Sequence, residues 1–105
     1  MPDTASPSSA RRLEDRVALV TGGGTGIGRA AALAFARDGA KVVLAGRRPA
    51  EIESVAHEIV AAGGHALAVP TDVSKEDDIR RLIDTAVDHY GRLDAAFNNA
   101  GILGN

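Results

Sequence analysis

Apolar residues along this 105-residue chain fall into two rhythms that take turns. Short unbroken aliphatic runs alternate with longer stretches whose apolar positions recur every three or four residues. The first run, "RVALVT" at Arg16 to Thr21, stops at a glycine, as a buried parallel strand does. Helical composition follows from Ile27 to Asp38, and Gly39 stands where a helix C-terminus is capped. "KVVLA", Lys41 to Ala45, predicts a second strand, after which Pro49 suits the first turn of a helix. Ile52, Val55, Ala56, Ile59 and Val60 make one helical stripe, ended by Gly63 and Gly64. "HALAV", His65 to Val69, predicts a third strand closed by Pro70. Ser74 then reads as an N-cap, with Asp77 completing an acidic capping box. Ile79, Leu82, Ile83, Ala86, Val87 and Tyr90 repeat the helical stripe up to Gly91. "LDAAFNNAG", Leu93 to Gly101, predicts a fourth strand running into a turn of small residues.

The predicted order is β-α-β-α-β-α-β with short connections. Strands that are apolar throughout, each followed by an amphipathic helix, imply an α/β fold with a parallel sheet covered on both faces. Right-handed crossovers make a doubly wound open sheet the simplest winding. The length allows one domain, assigned to residues 13–105. The first twelve residues, "MPDTASPSSARR", are rich in Pro and Ser and read as a disordered tail.

Composition narrows the function classes. A formal charge of -2 gives no overall basic field for nucleic acid or an acidic membrane surface. No apolar run reaches the roughly 20 residues that span a bilayer. Cysteine is absent, which removes disulfides and thiol nucleophiles and fits a reducing, cytoplasmic setting. His57, His65 and His89 lack metal-ligand spacing and read as structural; no metal site is expected.

The costliest local feature is a loop that packs five glycines into the seven positions 22–28. Ordering each costs about 0.5–1 kcal/mol against alanine. A helix that starts at the carboxyl end of a strand aims unpaired N–H groups and the positive end of its dipole at whatever sits in front. Glycines let an anion reach that backbone, so the loop is expected to hold phosphate. A plain helix-packing turn needs one or two glycines rather than five. The P-loop pattern begun at Gly23 fails at Arg29 and Ala30, where lysine and a Mg²⁺-binding hydroxyl belong. G-x-G-x-x-G fails too, because its third glycine falls on Ile27. The spacing present is T-G-x-x-x-G-x-G, at Thr21, Gly22, Gly26 and Gly28.

This spacing resembles the cofactor loop of the short-chain dehydrogenase/reductase family. "TDVS" at Thr71 to Ser74 and "NNAG" at Asn98 to Gly101 match two further motifs of that family, in order. Ala95 and Ala96 are smaller than the aliphatics usual there. The resemblance implies a Rossmann-type sheet of order 3-2-1-4 and a nicotinamide dinucleotide as cofactor. It places that cofactor against Gly22, Gly24, Thr25, Gly26, Ile27 and Gly28 of the loop. Arg47, Arg48, Asp72 and Val73 follow after the next two strands, and Asn98, Ala100 and Gly101 after the fourth. Asp72 would meet the adenine ring, with a plain turn as the alternative; Asn98 and Asn99 would brace the cleft or simply turn the chain.

An acid at the end of the second strand would hold the ribose 2′-OH of NAD, whereas arginine accommodates the 2′-phosphate of NADP. Gly46 stands at that position, and Arg47 and Arg48 follow. NADP is therefore favoured, with NAD as the alternative. Thr25 departs from the basic residue that NADP-using relatives often carry there, and the two arginines could also be a solvated pair.

Relatives interconvert a carbonyl and an alcohol by hydride transfer, using a serine, a tyrosine and a lysine four residues after the tyrosine. The one tyrosine here is Tyr90, followed four residues later by Asp94, and it reads as core. No catalytic residue is assigned. The expectation is the cofactor-binding half of an oxidoreductase, cut short before the catalytic strands; a non-catalytic NADP(H)-binding module is the alternative. In the family's order the fourth strand would be an exposed apolar edge, which favours the first. The full-length form would act on a small carbonyl or alcohol and, like its relatives, self-associate as a homo-oligomer.

Overall fold

Four parallel strands alternate with three helices in the computed structural model, which describes residues 13–22, 24 and 26–98. The chain runs through β1 (Val17–Thr21), α1 (Gly26–Arg37), β2 (Lys41–Gly46), α2 (Pro49–Ala61), β3 (His65–Pro70), α3 (Glu76–Tyr90) and β4 (Ala95–Asn98). The tail assigned to residues 1–12, together with Thr25, Asn99, Ala100 and Gly101, lies outside the described residues. Strand order is β3-β2-β1-β4 with every pairing parallel, as the doubly wound reading required.

Register sorts each strand's side chains onto the two faces. Val20 lies opposite Leu44 on one side and Phe97 on the other. These residues, with Val42, pack under α1 and α2 against Ala32, Ile52, Val55 and Ile59. One residue out of step, Val17, Leu19, Val43 and Ala45 face α3 and meet Leu82 and Ala86. β1 and β2 are buried on both faces, which is why their sequences are apolar without alternation.

The helix ends follow local chemistry. Past α1, the Gly39 N–H reaches the Ala36 carbonyl and the Ala40 N–H reaches Phe35, the paired bonds of a Schellman cap. Gly39 has φ +100°, and a Cβ there would stand 3.1 Å from the Glu14 backbone. Gly63 and Gly64 close α2 with the same two bonds, and Gly91 ends α3.

Three expectations need correction. Ser74 is not the N-cap of α3: Lys75 holds that place without a side-chain cap bond, and the Ser74 hydroxyl bonds back to Asp72. The local competition between an Asx turn and a helix cap goes to the turn. β3 is only half-buried, because it is an edge with one neighbouring strand. Of the stripe on α3, only Leu82 and Ala86 are fully buried, while Ile83 and Val87 stay exposed.

One contact across the sheet had no local signal. The Asp94 N–H donates to the Val17 carbonyl (2.9 Å), and the Val17 N–H donates back to Asp94 Oδ2 (2.8 Å). Arg92 grips the same carboxylate through Nε and Nη2 at 2.7–3.1 Å. Those bonds, Arg92 first and the Val17 N–H second, hold the Asp94 carboxyl below its ordinary 3.8. The native value is the depressed one, so the stabilisation is complete above about pH 3.8 and lost as pH falls through the native value. Asp94→Ala leaves the N–H of Val17, a residue 1% exposed, without its partner. An unpaired buried N–H costs about 1–3 kcal/mol. Urea unfolding of Asp94→Ala should give a lower midpoint at pH 7. The gap to wild type should narrow below pH 3.8, and a constant gap would mean that the latch carries no charge-dependent stability.

Candidate functional site

The carboxyl ends of β1, β2 and β3 are pinned side by side. The Gly22 N–H donates to Ala45 (2.8 Å), and the Thr71 N–H donates to Gly46 (2.7 Å), so each loop leaves the sheet only after those bonds. Between them opens a cleft of about 560 Å³, a size suited to small-molecule ligands. Of the residues assigned from sequence, Gly22, Gly24, Arg47, Arg48, Asp72 and Val73 line it together. Gly26, Ile27 and Gly28 form the start of α1, beside the cleft rather than on its wall; Gly28 is buried and Ile27 is 69% exposed. Asn98 closes β4 opposite Thr21, next to the root of the glycine loop.

Sequence reasoning missed the part played by α2. Pro49 opens that helix, and the Arg48 carbonyl accepts from the Glu51 N–H and the Ile52 N–H. This first turn carries Glu51 and Ile52 into the cleft wall, where Gly46, Thr71 and Ser74 also lie. A Cβ on Gly24 would stand 2.7 Å from Glu51 Cβ, closer than real side chains allow. The loop and α2 therefore meet at a distance only glycine permits.

The electrostatics favour an anion. α1 has no acidic residue in its first turn, so nothing on the helix neutralises its positive end. Arg47 has no hydrogen-bond or salt-bridge partner among the described residues, and Arg48 pairs with Glu51 at 3.2 Å while remaining 80% exposed. An exposed pair of this kind is a weak tie, one that a phosphate can displace at a modest cost. Arg29, at the lysine position of a P-loop, is taken up by Glu58 of α2. A glycine loop, a helix start without acidic residues in its first turn and two guanidinium groups fit a phosphate-bearing molecule.

The third wall is the turn after β3. Asp72 Oδ1 accepts from both the hydroxyl (2.6 Å) and the N–H (3.0 Å) of Ser74, which together hold its carboxyl below 3.8. The charges of Arg47 and Lys75 add to that effect. Its other oxygen accepts no hydrogen bond among the described residues. The Asp72 N–H donates to Asp78 Oδ2 (2.9 Å), the largest reason the Asp78 carboxyl is also depressed. Asp72 therefore shapes the turn and still offers one oxygen to a ligand.

Elsewhere, the described residues contain no cluster able to hold a metal ion, and all three histidines are exposed. No described helix is long and apolar enough to cross a membrane. Tyr90 packs with Leu93 against the core under α3, and burial pushes its hydroxyl above 10.0. That is the opposite of the shift a general base at neutral pH requires.

The short chain dehydrogenase family model matches residues 16–105. Among curated proteins, an uncharacterized oxidoreductase of Listeria monocytogenes is 43% identical over 93 residues, covering 89% of this chain and 38% of its own. Tropinone reductase-like 1 of Erythroxylum coca is 48% identical over 93 residues, covering 89% of this chain and 33% of its own. Among solved structures, a hydroxysteroid dehydrogenase from Escherichia coli superposes with a TM-score of 0.86 at 35% identity, over 94% of this chain and 42% of that one. A 3-ketoacyl-(acyl-carrier-protein) reductase from Brucella melitensis complexed with NADH gives 0.74 at 45% identity, over 80% and 33%. The chain thus spans about two fifths or less of these relatives' length.

Proposed function

This chain belongs to the short-chain dehydrogenase family, and we propose on that premise that it is the dinucleotide-binding part of an NADP(H)-dependent oxidoreductase interconverting a carbonyl and an alcohol. The observation that carries the reading is one shared cleft. A glycine loop at the end of β1 faces Arg47 and Arg48 at the end of β2, and Gly46 leaves that strand without a terminal acid. The NADH-bound relative supports a nicotinamide dinucleotide in general; the two arginines favour the phosphorylated form.

A bound dinucleotide supplies or accepts the hydride. The residues of this chain bind and orient it. Gly24 and the N-terminus of α1 offer main-chain N–H groups to the pyrophosphate, while Gly22, its own N–H bound to Ala45, turns the loop at φ +67°. Arg47 and Arg48 take the 2′-phosphate as guanidinium forks. Asp72, through its second oxygen, and Val73 hold the adenine side. The family resemblance assigns Thr25, Gly26, Ile27, Gly28, Asn98, Ala100 and Gly101 to the same cofactor. Tyr90 takes no part, and the tyrosine–lysine pair of the family is not among these 105 residues. The chain alone therefore binds cofactor without turnover.

Calorimetric titration of the purified chain tests this directly. NADPH should bind one to one and more tightly than NADH. Absence of saturable binding for both dinucleotides would overturn the reading.

A further inference from the structure

The end of β2 lacks a carboxylate, yet the cleft does not. Glu51 brings one in from the first turn of α2, only part-exposed, with Oε2 on Arg48 at 3.2 Å. Its Oε1 lies 3.3 Å from the point a Gly24 Cβ would occupy, so the acid stands against the glycine loop itself. The other acid on the wall, Asp72, has one oxygen tied down by Ser74. The backbone holds Glu51 at this place, its N–H bound to the Arg48 carbonyl in the first turn of α2.

We propose that Glu51 is a specificity-determining residue that restrains this site's preference for the 2′-phosphate, so that the cleft accepts NADH as well as NADPH. The proposal rests on the NADP(H) reading above. Arg48 has to release or share Glu51 before it can fork onto a phosphate. The Glu51 carboxylate also places a negative charge beside the incoming dianion, and like charges repel most where solvent is partly excluded. NADH carries no 2′-phosphate and meets neither obstacle. Charge at residue 51 therefore sets the ratio of the two affinities, while Arg47 and Arg48 set their direction.

Dissociation constants for NADPH and NADH, measured on wild type, Glu51→Gln, Glu51→Lys and Arg47→Ala/Arg48→Ala, separate the possibilities. Glutamine keeps the size and removes the charge. Glu51→Gln should move the NADH-to-NADPH ratio about fivefold or more toward NADPH, and Glu51→Lys should move it further. Both gains should shrink as salt is raised. Thermal melts identify any variant that fails to fold, and the second substitution then carries the test. A ratio unchanged within twofold, or moved toward NADH, in a folded variant overturns the role of Glu51. If the double arginine variant loses both dinucleotides equally, the NADP(H) reading itself falls. If that variant discriminates while the Glu51 variants do not, only the present inference falls.

Discussion

Ile52→Ala is expected to lower the stability of the fold by about 2–5 kcal/mol, the usual range for truncating a buried isoleucine to alanine. Ile52 is 2% exposed and packs among Val42, Leu44, Val55 and Ile59. Its Cγ2 fills the space that Gly46 leaves by lacking a Cβ, so truncation opens a gap beside that glycine. Domains of this size hold about 5–15 kcal/mol in total, so the loss would consume a large share. In urea the midpoint should fall sharply while the slope stays constant. Dinucleotide affinity should fall with it, because the same side chain forms part of the cleft wall. A midpoint within experimental error of wild type would show that this helix does not hold the sheet as described.

Removing Arg47 and Arg48 together should weaken NADPH binding about 30-fold, the equivalent of roughly 2 kcal/mol. Charge-assisted hydrogen bonds are each worth about 1.5–3 kcal/mol. The low end applies because both side chains are exposed and Arg48 must first leave Glu51. NADH should lose less than threefold, and the NADPH deficit should shrink with added salt. Calorimetry with both dinucleotides at two salt concentrations reads all three effects. Equal losses would mean that neither guanidinium reads the 2′-phosphate.

Much of this architecture is written in local patterns. All four strands and three helices fall where the apolar rhythms put them; in β1 and β2 burial on two faces leaves no room for polar residues. Gly39, Gly63 and Gly91 announce the helix ends for an equally local reason: an L side chain resists the backbone needed there. What stayed hidden depends on residues distant in sequence. The Asp94–Val17 latch spans 77 positions, and nothing near Asp94 distinguishes it from a solvated acid. Glu51 reads as an ordinary first-turn acid until the loop at Gly24 is seen against it. Ser74 misled because Asp72, two residues earlier, competes for its hydroxyl. The exposure of Ile83 and Val87 cannot be read from periodicity, which marks a face without saying how much of it is covered.

The central place of β1 has a consequence for the order in which the chain is made. Its neighbours are β2 and β4, so β1 borders one strand synthesised soon after it and another synthesised much later. At about 5–20 residues per second, the 77 positions between Val17 and Asp94 take roughly 4–15 s to synthesise. Throughout that interval one flank of "VALVT" has no strand to bond with. The nascent polypeptide thus carries an open flank on its most deeply buried strand for seconds, time enough for a chaperone to meet it.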